Sequence, residues 1–169
     1  MKKTSIYVGG TFDCFHAGHV NLLRRAREIA DFVIVALNSD AFTSSYKGKP
    51  VMNELERLEV VRACRFVDLA FVMESHAMQR VYMELLRPDF ILHGDDWTGD
   101  SLVRQLGIDD AFLAEHGIRM KYVPYTKGVS TSDIKRRILG VDGEKGSPAD
   151  AGAQSTKVSP QAPLAAAIG

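Results

Sequence analysis

The stretch SIYVGGTFDCFHAGHVNLLRRAREIA, residues 5–30, decides the fold class of this chain. Its first residues, SIYVGG, are mostly apolar and end in two glycines, which is typical of a short buried strand followed by a turn. The segment HVNLLRRAREIA then places four apolar residues on one face of a helix: Val20, Leu23, Ala26 and Ala30. A strand, a glycine-rich turn and an amphipathic helix in direct succession predict the first unit of an α/β fold.

The same alternation continues through the next hundred residues. The segments DFVIVALNSD, VDLAFVM, DFILHGDD and IRMKYVPY have the pattern of strands, and ELERLEVVRACRF, AMQRVYMELL, a broken SLVRQLGIDDAFLAEHG and STSDIKRRIL have the pattern of helices. Pro88 ends one helix, and Ser130 or Thr131 caps the last. This order predicts a Rossmann-like, doubly wound sheet of five parallel strands in the order 3-2-1-4-5, within one domain over residues 1–139.

Composition and charge exclude several classes of protein. The 169 residues are 46% hydrophobic and 25% charged, which suits one globular domain. Lys and Arg number 21, as do Asp and Glu, so the zero net charge disfavours a nucleic-acid or membrane-surface partner. The two cysteines, Cys14 and Cys64, suggest no disulfide framework. Because no apolar run is long enough for a membrane span or a signal peptide, we expect a cytoplasmic protein.

The last thirty residues, 140–169, differ from the rest of the chain. The segment GVDGEKGSPADAGAQSTKVSPQAPLAAAIG is rich in Gly, Ala, Pro and Ser and has few large apolar residues. Such a composition cannot bury enough apolar surface to offset the entropy of ordering the chain. The sequence therefore predicts a disordered C-terminal tail.

Four polar segments follow predicted strands, where doubly wound folds bind their ligands. GGTFDCFHAGH follows strand one, NSDAFTSSYKGK strand two, HGDDWTG strand four and YTKGVSTSD strand five. Because the carboxyl ends of parallel strands share one edge of the sheet, we expect these segments to border a single crevice between strands one and four.

The two histidines of HAGH are the strongest candidates for chemistry in that crevice. His16 and His19 lie about one helical turn apart at the start of the first helix, where free N–H groups and the helix dipole attract anions. Two imidazoles beside these amides suit the charge that develops on a phosphate during transfer, and Gly18 between them permits a close approach. A purely structural role, with His16 capping a turn and His19 capping a helix, stays open at this point.

Further polar groups add weaker signals. Lys47 and Lys49 flank Gly48 and could act as mobile charges near a phosphate, or could simply lie in a solvated loop. Arg57 and Arg65 are eight residues apart, so a continuous helix would put them on one face. The segment HGDDWTG brings Asp95, Asp96 and Trp97, the only tryptophan, to a strand end, where they could contact a nucleoside or a metal-bound triphosphate. The spacing of the other histidines and of the cysteines does not favour a zinc site.

Five motifs in fixed order, over most of residues 6–139, resemble the cytidylyltransferases, within the nucleotidyltransferases that carry an HxGH motif. They are TFDCFHAGH, the Lys-x-Lys loop, ERLEVVRACRFVD, HGDDW and GVSTSD. The resemblance implies transfer of CMP from CTP to a small phosphorylated acceptor with release of pyrophosphate. It also implies Mg²⁺ bound mainly by CTP, no metal held by the protein itself, and a homodimer.

The resemblance also implies roles for individual residues. His16, His19 and Lys49 would be catalytic, with both histidines acting at the α-phosphate. The residues implied to bind CTP or the acceptor are Gly10, Thr11, Phe12, Lys47, Arg57, Arg65, His93, Asp95, Asp96, Trp97, Tyr125, Lys127, Gly128, Ser130 and Thr131.

One motif departs from the commoner family pattern Arg-Thr-Glu-Gly-Ile-Ser-Thr. Here the segment is YTKGVST, so Tyr125 stands at the arginine and Lys127 at the acid. A tyrosine cannot make the bidentate phosphate contact of an arginine, and Lys127 is expected to supply the charge. Together with SYKGKPV and LHGDDW, this pattern is similar to the cytidylyltransferases of phosphonate antibiotic biosynthesis, which favours a small phosphonate as acceptor. A glycerol-3-phosphate cytidylyltransferase, an ADP-heptose type adenylyltransferase and a non-catalytic nucleotide-binding scaffold remain the alternatives.

Overall fold

The computed structural model describes residues 3–95 and 107–140 of the chain. Strands and helices alternate along most of this length, as the hydrophobic pattern predicts. The elements, in chain order, are β1 (Ser5–Gly10), α1 (Ala17–Ile29), β2 (Phe32–Asn38), α2 (Asp40–Tyr46), α3 (Glu54–Arg62), β3 (Leu69–Met73), α4 (His76–Leu86), β4 (Phe90–Gly94), α5 (Asp110–His116), β5 (Arg119–Val123) and α6 (Thr131–Ile138).

The five strands form one parallel sheet in the order β3-β2-β1-β4-β5, which confirms the predicted topology. Strand β1 lies at the centre, with Tyr7 opposite Ile34 of β2 and Ile91 of β4. The order reverses direction on either side of β1, which creates the switch point at which such sheets bind ligands. The candidate site therefore begins at the carboxyl end of the central strand.

Alternate residues of the central strands enter two separate hydrophobic cores. On one face, Val33, Val35 and their neighbours pack with buried residues of α1 and α3. On the other face, Tyr7 and Ile34 pack with Met83 of α4 and with residues of α5. Covering both faces explains why β2 is almost continuously apolar, because neither side of the strand meets water.

Two local features differ from the sequence prediction. The segment after β2, interpreted as a loop, forms the helix α2, whose N-cap Ser39 accepts a hydrogen bond from the Phe42 amide. The helix α3 ends at Arg62, four residues before the expected end of its periodic segment, and Cys64 and Val67 continue in tight turns. Both differences concern short segments whose turns are closed by local hydrogen bonds rather than by hydrophobic periodicity.

The first half of the broken helix SLVRQLGIDDAFLAEHG and the predicted tail from residue 141 onward lie outside the described residues. The second half of the predicted broken helix forms α5, with Asp109 as N-cap and Gly117, in the left-handed conformation, as C-cap. Within the part of the chain that the structure describes, no helix is long and apolar enough to cross a membrane.

Candidate active site

A crevice of about 710 Å³ opens at the carboxyl edge of the sheet. It is bordered by the ends of β1, β4 and β5 and by the first residues of α1 and α6, so segments distant in sequence meet there. The end of α2 closes another side. The residues that line the crevice include Gly10, Thr11, Phe12, His16, His19, Asn38, Tyr46, Lys47, Gln79, His93, Tyr125, Ser130 and Thr131. The prediction that His16 and His19 lie in the crevice between β1 and β4 is confirmed.

The first helix begins with a capping box made of the two histidines. His16 is the N-cap, and its Nδ1 accepts a hydrogen bond from the Gly18 amide at 3.1 Å. His19, three residues later, accepts at its Nδ1 from the His16 amide at 3.3 Å. An imidazole nitrogen that accepts a hydrogen bond carries no proton, so each neutral ring has its proton on Nε2. The structural role and the proposed chemical role therefore use different nitrogens of the same two side chains.

The two imidazoles are stacked and are held neutral. Their ring centroids are 3.9 Å apart, and His19 also packs against the rings of Phe12 and Phe15. Burial lowers the pKa of His16, and burial together with the neighbouring His16 lowers the pKa of His19 to about 3. Both rings thus offer neutral Nε2–H donors at neutral pH.

Gly18 is required by the packing of the capping box. A Cβ at this position would lie 2.9 Å from Cε1 of the His16 ring, closer than side chains tolerate. Any larger residue would push the ring away from the Gly18 amide that fixes its proton. Gly18, which is predicted to let a phosphate come close to the backbone, therefore also fixes the orientation of the His16 ring.

The turn between β1 and α1 is held in an unusual backbone conformation. Phe12 and Cys14 have φ angles of 55° and 48°, in the left-handed region that non-glycine residues seldom occupy. Phe12 is only 3% exposed and belongs to the hydrophobic core, so it anchors the turn at the point where it lines the crevice. This arrangement presents Thr11 and Phe12 beside the histidines, as the resemblance implies.

The lysine loop reaches the crevice through one of its two lysines. Lys47 is the C-cap of α2 and lines the crevice, whereas Lys49 is exposed and is not among the lining residues. The preceding Tyr46 is fixed by its hydroxyl, which accepts a hydrogen bond from Asn38 at 2.6 Å and lies 3.4 Å from the Thr11 hydroxyl. The structure thus places Lys47, rather than the predicted catalytic Lys49, at the site.

The expectation that Arg57 and Arg65 share a helical face is wrong, and neither residue lines the crevice. Helix α3 ends at Arg62, so Arg65 lies beyond it, exposed beside Phe66 and away from the crevice. Arg57 is fully buried, and each of its three guanidinium nitrogens donates a hydrogen bond to the protein. Its neighbours in the sequence cannot reveal this burial, because the groups that bind it come from other segments.

The segment after β5 meets the crevice only in part. Tyr125 lines it, and the Tyr125 amide donates a hydrogen bond to the Asp95 carboxylate at 2.9 Å, so Asp95 shapes the strand end. Ser130 is the N-cap of α6, as predicted, and lines the crevice together with Thr131. Lys127 and Gly128 are exposed and are not lining residues. Asp96 and Trp97 lie outside the described residues.

Sequence reasoning missed several polar side chains of the crevice, among them Asn38, Tyr46 and Gln79. Asn38 is the last residue of β2, and Tyr46 is the last residue of α2, a helix that was not predicted. Gln79 of α4 is 2% exposed, and its Nε2 has no hydrogen-bond partner within the described residues. A signal for Gln79 existed, since it lies one turn from the buried Met83 on the apolar face of its helix.

Two solved structures share this fold. A lipopolysaccharide core biosynthesis protein of Thermoplasma volcanium superposes with a TM-score of 0.60 at 24% identity, covering 76% of this chain and all of that protein. A pantothenate synthetase of Thermus thermophilus superposes with a TM-score of 0.54 at 16% identity, covering 78% of this chain and 61% of that one. At these identities the likeness establishes the architecture alone.

Sequence comparison finds relatives that are curated enzymes. The chain is 35% identical over 159 residues to an ethanolamine-phosphate cytidylyltransferase of Dictyostelium discoideum, covering 87% of this chain and 42% of that protein. It is 32% identical over 142 residues to a glycerol-3-phosphate cytidylyltransferase of Staphylococcus aureus, covering 84% of this chain and 98% of that protein. A bifunctional protein HldE of Syntrophotalea carbinolica is 33% identical over 139 residues. This chain spans 27% of the HldE protein and 81% of its own length there, so several of these relatives are much longer proteins.

Almost the whole described core, with the histidine capping box and the crevice, falls within the segment that a family model recognises. Residues 7–137 match the cytidylyltransferase-like model, from the middle of β1 almost to the end of α6. That match covers well over half of the chain, and the Staphylococcus aureus relative agrees with it over nearly its full length. The chain therefore belongs to the cytidylyltransferase-like family.

Proposed function

We propose that this protein transfers CMP from CTP to a small acceptor that presents a phosphate or phosphonate oxyanion. The observation that carries the proposal is the pair of neutral imidazoles at the amino end of α1, each with its Nδ1 occupied by a backbone amide. Their Nε2–H groups, together with the helix dipole, suit an oxyanion that gains charge during reaction. The relatives named ethanolamine-phosphate and glycerol-3-phosphate cytidylyltransferase support this reaction class.

The reaction is an in-line displacement at phosphorus. An oxygen of the acceptor's oxyanion attacks the α-phosphorus of CTP, a new P–O bond forms, the bond to the β-phosphate breaks, and pyrophosphate leaves. The nucleophile is already ionised, so no general base is needed. Catalysis then consists of positioning and of stabilising charge on the phosphoryl oxygens, which is the proposed role of His16 and His19.

Other groups at the crevice would hold the outer phosphates. Lys47 brings a mobile positive charge, and Ser130 and Thr131 lie at the amino end of α6, a second site with free amides. Mg²⁺ would enter with the triphosphate, neutralising charge on its oxygens, because this ion is usually held through substrate phosphates. Within residues 3–95 and 107–140, no three His, Cys, Asp or Glu side chains cluster so as to hold a metal ion. No step of the proposal depends on one.

A small phosphonate remains our proposed acceptor, on the ground of the YTKGVST segment. Tyr125 lines the crevice where the commoner pattern has an arginine, so the site has a weaker oxyanion contact and a bulkier neutral wall there. Asn38 and Gln79 add neutral polar groups. Ethanolamine phosphate is the second candidate, favoured by relatives at 35% and 36% identity from Dictyostelium discoideum and Arabidopsis thaliana.

The decisive experiment measures pyrophosphate release with CTP and, separately, with ATP, against a panel of acceptors. The panel contains phosphonoformate, 2-hydroxyethylphosphonate, glycerol-3-phosphate, phosphocholine and phosphoethanolamine. We expect CTP-dependent release with at least one member and the highest kcat/KM with a phosphonate. A preference for phosphoethanolamine would move the acceptor to the second candidate. Preference for ATP, or no release with any acceptor, would overturn the cytidylyltransferase proposal.

Two variants separate the histidine role from general stability. His16→Ala is expected to lower kcat by about 10²–10³ with little change in KM for CTP, because its contact strengthens in the transition state. His116→Gln, on α5 beside Phe112 and away from the crevice, is the control and should keep the wild-type rate. A normal kcat in the His16→Ala enzyme would show that His16 caps the helix and has no role in the chemical step. The homodimer stays a prediction, to be checked by light scattering of the purified protein.

A further inference from the structure

The loop that carries Lys47 is fixed at both of its ends, although its own residues are exposed. Residues 47–49 are exposed, while the Tyr46 hydroxyl bonds to Asn38 before them. After them, the peptide groups of Val51 and Met52 are bonded to charged side chains from other segments. A loop of so few free residues can place its lysine only where these two ends allow.

Asp13 holds the second end. Its carboxylate accepts hydrogen bonds from the Val51 amide at 3.0 Å and from the Met52 amide at 3.0 Å. The same carboxylate lies 2.9 Å from the ammonium of Lys135 on α6, and the Asp13 carbonyl accepts from the Thr131 hydroxyl at 2.8 Å. Asp13 is 4% exposed and does not line the crevice. It therefore connects the lysine loop and the start of α6 to the turn that carries the histidines, without facing the ligand space.

Arg57 holds the same end of the lysine loop through a second set of hydrogen bonds. Its Nε donates to the Met52 carbonyl at 3.1 Å, so both polar groups of that residue are bonded to charged side chains. Its Nη1 donates to the carbonyl of Thr11 at 2.5 Å, and its Nη2 pairs with Asp40 at 2.6 Å. The loop end is thus tied to the β1–α1 turn twice, through Asp13 and through Arg57.

The charge of Asp13 is maintained by these contacts. Burial by itself would raise the pKa of this carboxyl, but the Met52 amide, the Lys135 ammonium and the Val51 amide together hold the pKa below its usual range. An ionised carboxylate accepts several hydrogen bonds at once, and a buried one that loses its partners is costly. The same position could not be filled by a neutral side chain with equal effect, because an amide would turn a donor toward one of these three donors.

We propose that Asp13 is a positioning residue that fixes the lysine loop and the amino end of α6 against the histidine turn, and so controls triphosphate binding without touching it. The part of this inference that concerns the triphosphate rests on the proposed function. The coupling of the three segments does not, and it can be measured in the free protein.

The first test is hydrogen exchange of the Asp13→Asn variant. Amide exchange should become faster in residues 46–52 and 128–134 and should stay unchanged in the central strands. Asp68→Asn is the matched control, because Asp68 also accepts a backbone hydrogen bond, from Val33, and pairs with Arg27, but at the amino end of β2. Faster exchange over the whole sheet of the Asp13→Asn variant, or unchanged exchange in both segments, would overturn the proposal.

The second test is a double-mutant cycle between Asp13→Asn and Lys47→Ala, read as KM for CTP and as kcat. If Asp13 acts through the loop, each change alone should raise KM about tenfold, and the double variant should be little worse than either. Additive effects, or Asp68→Asn giving the same loss as Asp13→Asn, would show that Asp13 contributes only stability.

The Lys135→Met variant and pyrophosphate binding keep the proposal testable if Asp13→Asn does not fold or if no acceptor is used. If Asp13→Asn does not fold, Lys135→Met removes the ion pair while keeping both amide contacts, and faster exchange limited to residues 128–134 is then expected. Unchanged exchange there would overturn the link to α6. If no acceptor is used, the proposed function fails, but exchange and calorimetric binding of pyrophosphate still decide the positioning role.

Discussion

The neutral state of His19 gives a prediction for the pH dependence of stability. Burial and the neighbouring His16 lower the pKa of His19 from 6.5 to about 3 in the folded protein. In the unfolded chain the imidazole titrates near its ordinary value, so between pH 6.5 and pH 3 the unfolded state binds one more proton than the folded state. The free energy of unfolding therefore falls as the pH drops below 6.5, and this contribution stops falling near pH 3.

The size of the effect follows from the width of that window. Each pH unit within it corresponds to about 1.4 kcal/mol, so His19 accounts for a loss of about 2 kcal/mol between pH 6.5 and pH 5. For a domain of this size that is roughly 6–8 °C in Tm. Asp13 adds its own acid sensitivity. Folding lowers the pKa of this carboxyl, so its contribution to the free energy of unfolding also decreases as the pH falls. The contribution of His19 must therefore be isolated by substitution.

His19→Gln is the variant that isolates it. A glutamine at the third helical position can accept the His16 amide hydrogen bond in an ordinary capping box, but it does not titrate. Calorimetric scans at pH 7.5 and pH 5 should show a drop in Tm that is about 6–8 °C smaller in the variant than in the wild type. An equal drop in both proteins, or an imidazole NMR titration of His19 with a pKa of 6 or higher, would refute the reasoning.

Three further predictions concern the lysine loop, Lys127 in the segment before α6, and the C-terminal segment. Lys47→Ala should raise KM for CTP about tenfold, as expected for the loss of one charge-assisted contact, while Lys49→Ala should raise it less. A larger increase in KM for Lys49→Ala in steady-state kinetics would identify Lys49 as the phosphate contact instead. Lys127→Ala should leave kcat/KM within about threefold if this exposed side chain stays in solvent, and a larger fall with any acceptor would show that it reaches the bound phosphates. Removing residues after Gly140 should leave kcat and Tm nearly unchanged, because that segment lacks an apolar pattern, and a clear drop in either would show that it packs or assembles.

The sequence by itself determined the architecture and the position of the crevice. The periodicity of residues 5–30 and of the later segments is local, since it depends only on which neighbouring side chains share a face of a helix or strand. Once five parallel strands joined by helices are predicted, right-handed connections restrict the strand order to a few possibilities, and the ligand edge is the one at the carboxyl ends of the strands. The pairing of His16 with His19 was also visible, because both lie within one turn of one helix.

Only the tertiary structure decided which polar side chains face that crevice and which lie inside the protein. Arg57 has the sequence context of a surface arginine, yet the groups that bind it come from Thr11 and Asn38, 46 and 19 residues away. Asp13 likewise became significant only when it met Val51, Met52 and Lys135. A hydrogen bond between distant segments leaves no period in the sequence, because it depends on where whole elements pack rather than on the preference of neighbouring residues.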